Sequence, residues 1–169
     1  MGQVDGHFDG KPVKKVSKSP TFQTLTYSQF KTKTEQIAAG LKAKYGLVKG
    51  DKVLVFANSR AEWITSAVGV VKAAGVVTTL VPSMTTQALA FALNQIRAVK
   101  VVISEASLHQ KLQEVFEAAG QHPPVVYMEK DGRKDLPDGS VLLDSIEEEG
   151  GKVAYETALL ESSDLAVIM

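Results

Sequence analysis

The residues of this sequence that most often do chemistry are its three histidines and a run of three glutamates. His7, His109 and His122 are far apart in the sequence, so a shared metal site would require a fold that joins three separate segments. The run Glu147–Glu149 could form a metal or acid–base cluster, but three consecutive helical residues point to different sides. We therefore interpret the glutamates as a solvated helix face and predict no metal site.

Motifs that bind nucleotides or metals, or that carry a nucleophile, are absent. The sequence contains no G-x-x-x-x-G-K-[ST], G-x-G-x-x-G, H-E-x-x-H or G-x-S-x-G. Trp63, which follows Arg60 and Glu62 near the start of a predicted helix, could face a ligand. Because Trp63 lies on the apolar stripe of that helix, we interpret it instead as a residue that packs in the hydrophobic core. The sequence thus assigns no catalytic, cofactor-binding or metal-binding residue.

Composition and charge exclude several classes of protein. Of 169 residues, 19 are Lys or Arg and 19 are Asp or Glu, so no net field attracts nucleic acid. Cysteine is absent, which excludes disulfides and thiolate metal sites. The apolar run 64–81 contains Lys72 and is interrupted by Gly75, so we predict a buried helix followed by a buried strand, not a membrane span.

Strands of continuous apolar character alternate with amphipathic helices from Thr26 onward. This alternation predicts an α/β fold with a mainly parallel sheet that helices cover on both faces. We predict strands at 52–57, 76–81, 100–104 and 124–129. The predicted helices run from Tyr27 to Tyr45, from the Asn58-Ser59 pair to Ala74, from Thr85 or Thr86 to Arg97, from Ser107 to Ala119, and from Ser140 or Asp144 to Glu149.

The two ends of the chain have a different character. Residues 1–21 show no apolar period and are predicted to be a flexible arm with at most a short edge strand, whereas 22–169 form the folded part. The segment 130–138 is predicted to be a surface loop. Leu165–Met169 is predicted to be one more strand, which neighbouring elements would bury in a longer protein. In this chain we expect it to leave an unpaired edge and exposed apolar side chains, which favour self-association.

Four blocks of the sequence stand out by their order and spacing. They are Leu25-Thr26-Tyr27, Gly50-Asp51-Lys52-Val53 followed by Asn58-Ser59-Arg60-Ala61-Glu62-Trp63, Thr79-Leu80-Val81 with Ala88–Asn94, and Asp164–Met169. In this order and spacing they resemble long-chain fatty acyl-CoA synthetases of the AMP-forming, acyl-adenylate-forming ligase superfamily. The resemblance covers about Phe22 to Met169. Val81 departs from the tyrosine common in that family.

The resemblance implies the first part of an AMP-binding N-terminal domain, truncated before the ATP-binding phosphate loop. It implies a ligase that uses a fatty acid, ATP, CoA and Mg²⁺ to form acyl-CoA, AMP and pyrophosphate. The groups that do this chemistry lie downstream in such proteins, so no site residue is carried over and this stretch alone is expected to be inactive. The expected location is cytoplasmic, with membrane attachment of the longer protein left open.

Two alternatives remain at this point. The first is another acyl- or aryl-acid–CoA ligase. The second is a self-contained, non-enzymatic α/β binding module of flavodoxin-like topology, which explains the alternation equally well but not the apolar strand at 165–169. The coding sequence beyond residue 169 would separate the two.

Overall fold

The centre of the molecule is a sheet of six parallel strands. The computed structural model describes residues 4–8, 11–15, 24–129 and 136–169. Within them the strands lie in the order β7-β6-β5-β3-β4-β8, and every neighbouring pair is parallel. The predicted α/β class with a parallel sheet is therefore confirmed. The strands are β3 Lys52–Phe56, β4 Val76–Thr79, β5 Val99–Ser104, β6 Val125–Tyr127, β7 Val141–Leu142 and β8 Val167–Ile168.

The strand order reverses beside β3. The chain passes from β3 to β4 on one side, and then returns to β5 on the other side before continuing outward to β6 and β7. The arrangement of β3 to β7 is that of a flavodoxin-like sheet, and β8 extends it beyond β4. Strand order alone thus does not separate the two classes of protein considered above. It does place a topological switch point between the carboxyl ends of β3 and β5, where open α/β sheets bind ligands.

Five helices cover the two faces of the sheet within the described residues. The helices α1, α2 and α5 pack with one core cluster that includes Ile37, Val70 and Ile146, and α3 and α4 pack with another that includes Leu93 and Phe116. Both faces are therefore buried, as continuous apolar strands require. The helices are α1 Tyr27–Tyr45, α2 Ala61–Lys72, α3 Thr86–Ile96, α4 His109–Ala119 and α5 Leu143–Gly150.

Local capping signals set the ends of α1 and α3. The Thr26 hydroxyl accepts from the Gln29 amide at 3.2 Å, and the Gln29 side chain accepts from the Thr26 amide at 2.8 Å, which completes a capping box. Gly46 ends α1 in the left-handed conformation, with φ 59°. Thr85 caps α3 in the same way as Thr26 caps α1, through the Ala88 amide at 3.3 Å. The predicted ends of α1 and the predicted start of α3 are confirmed.

Three other predicted helix starts are wrong. The N-cap of α2 is Arg60, without a side-chain cap, whereas Asn58, two residues earlier, donates from its side-chain amide to Glu105. Ser107 lies in a 3-10 turn over Ala106–Leu108, and Leu108 is the N-cap of α4. The N-cap of α5 is Leu142, because the two-residue strand β7, which we did not predict, runs directly into the helix.

Ser140 and Asp144, the two predicted starts of α5, have other positions. The Ser140 hydroxyl donates to the Pro137 carbonyl at 2.6 Å, so it closes a turn before β7. Asp144 lies in the first turn of α5. The positive end of the helix dipole stabilises a carboxylate at this position, although the carboxylate does not cap the helix.

The N-terminal segment forms a two-stranded antiparallel sheet, in which β1 Val4–Phe8 pairs with β2 Lys11–Lys15. One short edge strand was the most that we predicted there. The rest of the predicted arm, at 1–3, 9–10 and 16–21, lies outside the described residues. So does most of the predicted surface loop, at 130–135.

The predicted strand at Leu165–Met169 is shorter than expected and lies exposed at the edge of the sheet. Only Val167 and Ile168 pair, with Val77 and Thr78 of β4. The pairing puts β8 at the edge of the sheet, where Leu165 and Val167 are exposed and Met169 is 98% exposed. The prediction of a strand is confirmed, and so is the prediction that it is exposed in this chain. None of the helices in the described part of the chain is long and apolar enough to cross a membrane.

Candidate functional site

The carboxyl ends of the central strands bring several polar side chains together. Asn58 and Arg60 follow β3, Glu105 follows β5, and Glu129 lies just after β6. Parallel strands place these ends at one edge of the sheet. The residues therefore meet at the switch point that the strand order creates.

Glu105 links the loops after β3 and β5. Its side chain is buried, with the residue 8% exposed. The backbone amide of Asn58 donates to Glu105 Oε1 at 3.2 Å, and the Asn58 side-chain amide donates to the same oxygen. The other oxygen lies 3.5 Å from a guanidinium nitrogen of Arg60. A buried carboxylate is tolerated because it has these partners.

Arg60 is the centre of the cluster and is surrounded by three carboxylates. Its Nε lies 2.7 Å from Glu62 Oε2, and its terminal nitrogen forms ion pairs with Glu129 and Glu105. The hydrogen bond with Glu129 is the largest cause of a raised pKa for Arg60, with Glu62 adding to it against the opposing effect of burial. The guanidinium charge is therefore fixed, and it is already neutralised by its surroundings.

A cavity of about 480 Å³ opens beside this cluster, between the ends of β3 and β4. Its volume falls in the range of about 300–1,000 Å³ that small-molecule sites occupy. Most of its wall is apolar. The lining residues are Ala57, Asn58, Ser59, Arg60, Trp63, Ile64, Thr79, Leu80, Val81 and Pro82.

Lys111, on α4, fixes the loop that forms one side of the cavity. Its Nζ donates to the carbonyl of Pro82 and to that of Met84, the latter at 2.7 Å. These bonds tie the β4–α3 loop to α4. The wall at Pro82 is thus held by tertiary contacts as well as by its own backbone.

The structure does not join the histidines into one site. His109 shares a 2.6 Å hydrogen bond with the hydroxyl of Tyr127, and burial raises the pKa of that hydroxyl. The ring of His122 lies edge-to-face against the ring of Phe116. His7 lies in β1. Among the described ranges, no group of three or more His, Asp or Glu side chains could hold a metal ion.

The prediction that the glutamates of α5 form a solvated helix face holds for Glu148 and is wrong for Glu147, which packs against α1. Glu147 pairs with Lys33 at 2.9 Å and Glu149 with Lys44 at 3.0 Å, both on α1. Glu148 is exposed. The three therefore hold α5 to α1 or face solvent, and they do not form a cluster.

Sequence reasoning placed Trp63 in the core and missed the residues around it. Trp63 does pack against the core cluster, but it also lines the cavity, so both interpretations of it hold in part. The carboxylates Glu105 and Glu129 and the role of Lys111 were not predicted. The signal that could have found Glu105 and Glu129 is their position, because each is a charged residue at the end of an apolar strand.

A family model described as AMP-binding enzyme matches residues 7–169 of this chain. Long chain acyl-CoA synthetase 8 of Arabidopsis thaliana is 27% identical over 156 residues, which are 88% of this chain and 21% of that protein. The chain thus spans about a fifth of the length of this curated relative.

Two solved structures of low sequence identity share the fold. A protein assigned as a long-chain-fatty-acid CoA ligase from Rhodopseudomonas palustris superposes with a TM-score of 0.71 at 17% identity, over 95% of this chain and 35% of that one. A benzoate CoA ligase from Burkholderia xenovorans superposes with a TM-score of 0.66 at 16% identity, over 85% of this chain and 27% of that one. Identities this low show the fold alone.

Proposed function

This chain belongs to the AMP-binding enzyme family, and from that premise we propose that it is part of a ligase that joins long-chain fatty acids to coenzyme A. The observation that carries the long-chain assignment is the Arabidopsis relative, which aligns with 88% of the chain. The structure supports a ligand-binding role by its cavity at the carboxyl edge of the sheet, beside the switch point.

The proposed reaction has two steps. A carboxylate oxygen of the fatty acid bonds to the α-phosphorus of ATP, and pyrophosphate leaves to give an acyl-adenylate. The thiol of coenzyme A then bonds to the acyl carbon, its proton is lost, and AMP leaves. Magnesium supplies charge screening of the phosphates when it is bound.

The described residues do not fit the phosphates or the magnesium ion. Arg60 is already paired with three carboxylates, and no acidic or histidine cluster suitable for a metal is present in the ranges the structure covers. We therefore assign no step of phosphate chemistry to these residues. We propose that they form one wall of the substrate crevice, and that residues 1–169 alone do not catalyse the reaction.

We also propose that this chain self-associates through β8. The strand lies at the edge of the sheet, and its neighbours Leu165 and Met169 are exposed. An edge strand with unpaired backbone groups and exposed apolar side chains is a template for pairing with another copy.

Pyrophosphate release from ATP, measured with a panel of acids, tests the proposed function. The assay compares residues 1–169 with a protein extended by whatever coding sequence follows residue 169. We expect no acid-dependent release from the shorter protein, and release with fatty acids of twelve or more carbons from the extended one, with weaker release with benzoate. A preference for benzoate would contradict the long-chain assignment. Activity of residues 1–169 alone would contradict the proposal that these residues do not catalyse the reaction by themselves.

A further inference from the structure

Lys111 lies where the electrostatics of a helix disfavour a cation. It is the third residue of α4, which begins at His109. This end of a helix is the positive end of its dipole, which favours acidic side chains. The first turn of α4 contains no acidic residue, and Lys111 forms no ion pair with a carboxylate in the part of the chain that the structure describes. A residue that breaks a local rule in this way is a candidate for a role in a site.

The contacts of the Lys111 ammonium are with the β4–α3 loop, residues 80–85. Its Nζ donates to the backbone carbonyls of Pro82 and Met84, the latter at 2.7 Å. A charged donor forms stronger hydrogen bonds than a neutral one. The two carbonyls lie on either side of Ser83, so a single side chain holds the backbone at two points. Lys111 therefore fixes the orientation of the loop as well as its distance from α4.

The tip of this loop, 81–84, has few other contacts that could hold it. Among the described residues, Lys111 makes the only hydrogen bonds between 81–84 and another helix or strand. The Met84 amide donates to the Val81 carbonyl at 3.0 Å, but this bond lies within the turn itself. Val81, Ser83 and Met84 are exposed, so burial adds little. A segment with exposed side chains and few tertiary bonds opens easily once those bonds are lost.

We propose that Lys111 is a positioning residue, which holds the β4–α3 loop in the conformation that shapes one side of the cavity at Pro82. Without the ammonium the tip of the loop would move, although α4 and the sheet stay folded. That the loop positions a substrate of a ligase rests on the proposed function. The link between Lys111 and the loop does not rest on it, and can be measured on residues 1–169.

A nitroxide label at the tip of the loop tests the link directly. Ser83→Cys provides a single labelling site, because the chain contains no cysteine and Ser83 is exposed. Adding Lys111→Met is expected to shorten the rotational correlation time of the label by about threefold or more, since the loop becomes free to move. Lys111→Arg is expected to restore the slower motion, because a guanidinium can still donate to two carbonyls. Equal label mobility with Lys111 and with Lys111→Met overturns the proposal.

Lys100→Met is the matched control, because it removes a lysine at the opposite edge of the sheet. Lys100 lies at the start of β5, and its Nζ is 3.7 Å from Asp51 Oδ2. We expect this substitution to leave the mobility of the label unchanged. Circular dichroism checks that both methionine variants are folded. Equal loosening of the loop in both variants would show a general loss of stability and reject the link.

Hydrogen exchange at the Met84 amide gives a second test that needs no substitution. This amide donates to the Val81 carbonyl only while the turn is formed. In the native chain we expect it to exchange at least about tenfold more slowly than in an unstructured peptide. Exchange at the unprotected rate would show that the loop is not held, and would overturn the proposal even if Lys111→Met does not fold.

In the protein extended beyond residue 169, the positioning role predicts a change in KM rather than in kcat. A wall that binds substrate and transition state equally well affects KM alone. We expect Lys111→Met to raise the KM for the acid about fivefold with kcat changed less than about twofold, and Lys111→Arg to restore the KM. A general loss of folded protein would instead lower the apparent kcat and leave the KM unchanged.

The two proposals fail in different ways. A label that Lys111→Met makes mobile, in an extended protein without ligase activity on any acid, rejects the proposed function and keeps the link between Lys111 and the loop. Ligase activity with long-chain acids whose KM and kcat are the same with Lys111→Met rejects the positioning role and keeps the proposed function.

Discussion

The backbones of Gly40 on α1 and Gly150 on α5 are in direct contact. A Cβ atom on Gly150 would lie 2.7 Å from the Gly40 nitrogen and 1.9 Å from the carbonyl oxygen of Gln36. A Cβ on Gly40 would likewise lie 2.0 Å from the carbonyl oxygen of Ile146. The two helices can approach this closely only because neither glycine has a side chain.

The first prediction concerns this helix contact. Gly150→Ala inserts a methyl group against backbone atoms that cannot move without separating the helices, so we expect the free energy of unfolding to fall by about 3 kcal/mol. Gly151→Ala is the matched control, because its nearest neighbour is the flexible side chain of Gln36 at 3.1 Å. Urea denaturation of the two variants measures the difference. Equal stability of both would contradict the close contact.

The second prediction concerns the ion pairs at the switch point. Arg60→Gln leaves Glu105 buried without its cation, and we expect a loss of about 3–5 kcal/mol in the free energy of unfolding. The double variant Arg60→Gln with Glu105→Gln removes the unpaired charge and should recover at least half of that loss. A double variant no more stable than the single one would show that Arg60 acts through its other carboxylates.

These two features differ in how far they could be predicted from the sequence. The ends of α1 were predictable because Thr26, Gln29 and Gly46 act on neighbouring residues through local bonds. The links from Arg60 to Glu105 and Glu129 were not, because they depend on which strands become neighbours. The order of strands in the sheet is not encoded in any local pattern of the sequence.

The same limit explains the mistakes in the helix starts and in the length of the last strand. Asn58 has the side chain of a good helix cap, but its backbone and side-chain amides both donate to the buried Glu105, a partner that the local sequence does not show, and the helix begins after Arg60. Leu165–Met169 has the composition of a buried strand, but burial depends on its neighbours, and β8 has a described neighbour on one side only. The parallel fold was predictable because it follows from periodicity alone.

The third prediction is a pH dependence that arises from Glu147. Burial is the largest cause of its raised pKa, and the hydrogen bond from Lys33 opposes that effect only in part. Above this raised pKa the folded state holds an ionised, partly buried carboxylate, which lowers the free energy of unfolding. As the pH falls through the raised pKa, the folded state takes up a proton before the unfolded state does, so this destabilisation is lost. We expect Glu147→Gln to gain stability relative to the native chain at pH 7, and the gain to shrink as the pH falls towards 4.5.

Urea denaturation of Glu147→Gln and of the native chain, at several values between pH 7 and pH 4.5, measures this trend. Glu148→Gln is the control, since Glu148 is exposed on the same helix and should show no such trend. A difference between Glu147→Gln and the native chain that stays constant across the range would contradict the assigned cause.

The fourth prediction concerns two buried serines. The hydroxyl of Ser66 on α2 is buried and has no hydrogen-bond partner in the structure, whereas Ser104 donates to the Phe56 carbonyl at 2.7 Å. We expect Ser66→Ala to leave stability unchanged or to raise it by up to about 1 kcal/mol, because an unsatisfied polar group is removed. Ser104→Ala should lower stability by about 1–2 kcal/mol, since it leaves a buried carbonyl without this donor. Thermal denaturation compares the two, and a larger loss for Ser66→Ala would contradict the assignment.

The last prediction tests self-association through β8. Val167 pairs with Val77 of β4 through its backbone, and its side chain is exposed at the edge of the sheet. A lysine at an edge disfavours the pairing of one sheet with another, because the charge would have to be desolvated between them. We therefore expect the native chain to associate with rising concentration in sedimentation velocity, and Val167→Lys to remain monomeric. Val153→Lys, at an exposed apolar residue outside the sheet, should associate like the native chain. A native chain that is monomeric at all concentrations, or equal association of both lysine variants, would show that β8 is not the contact.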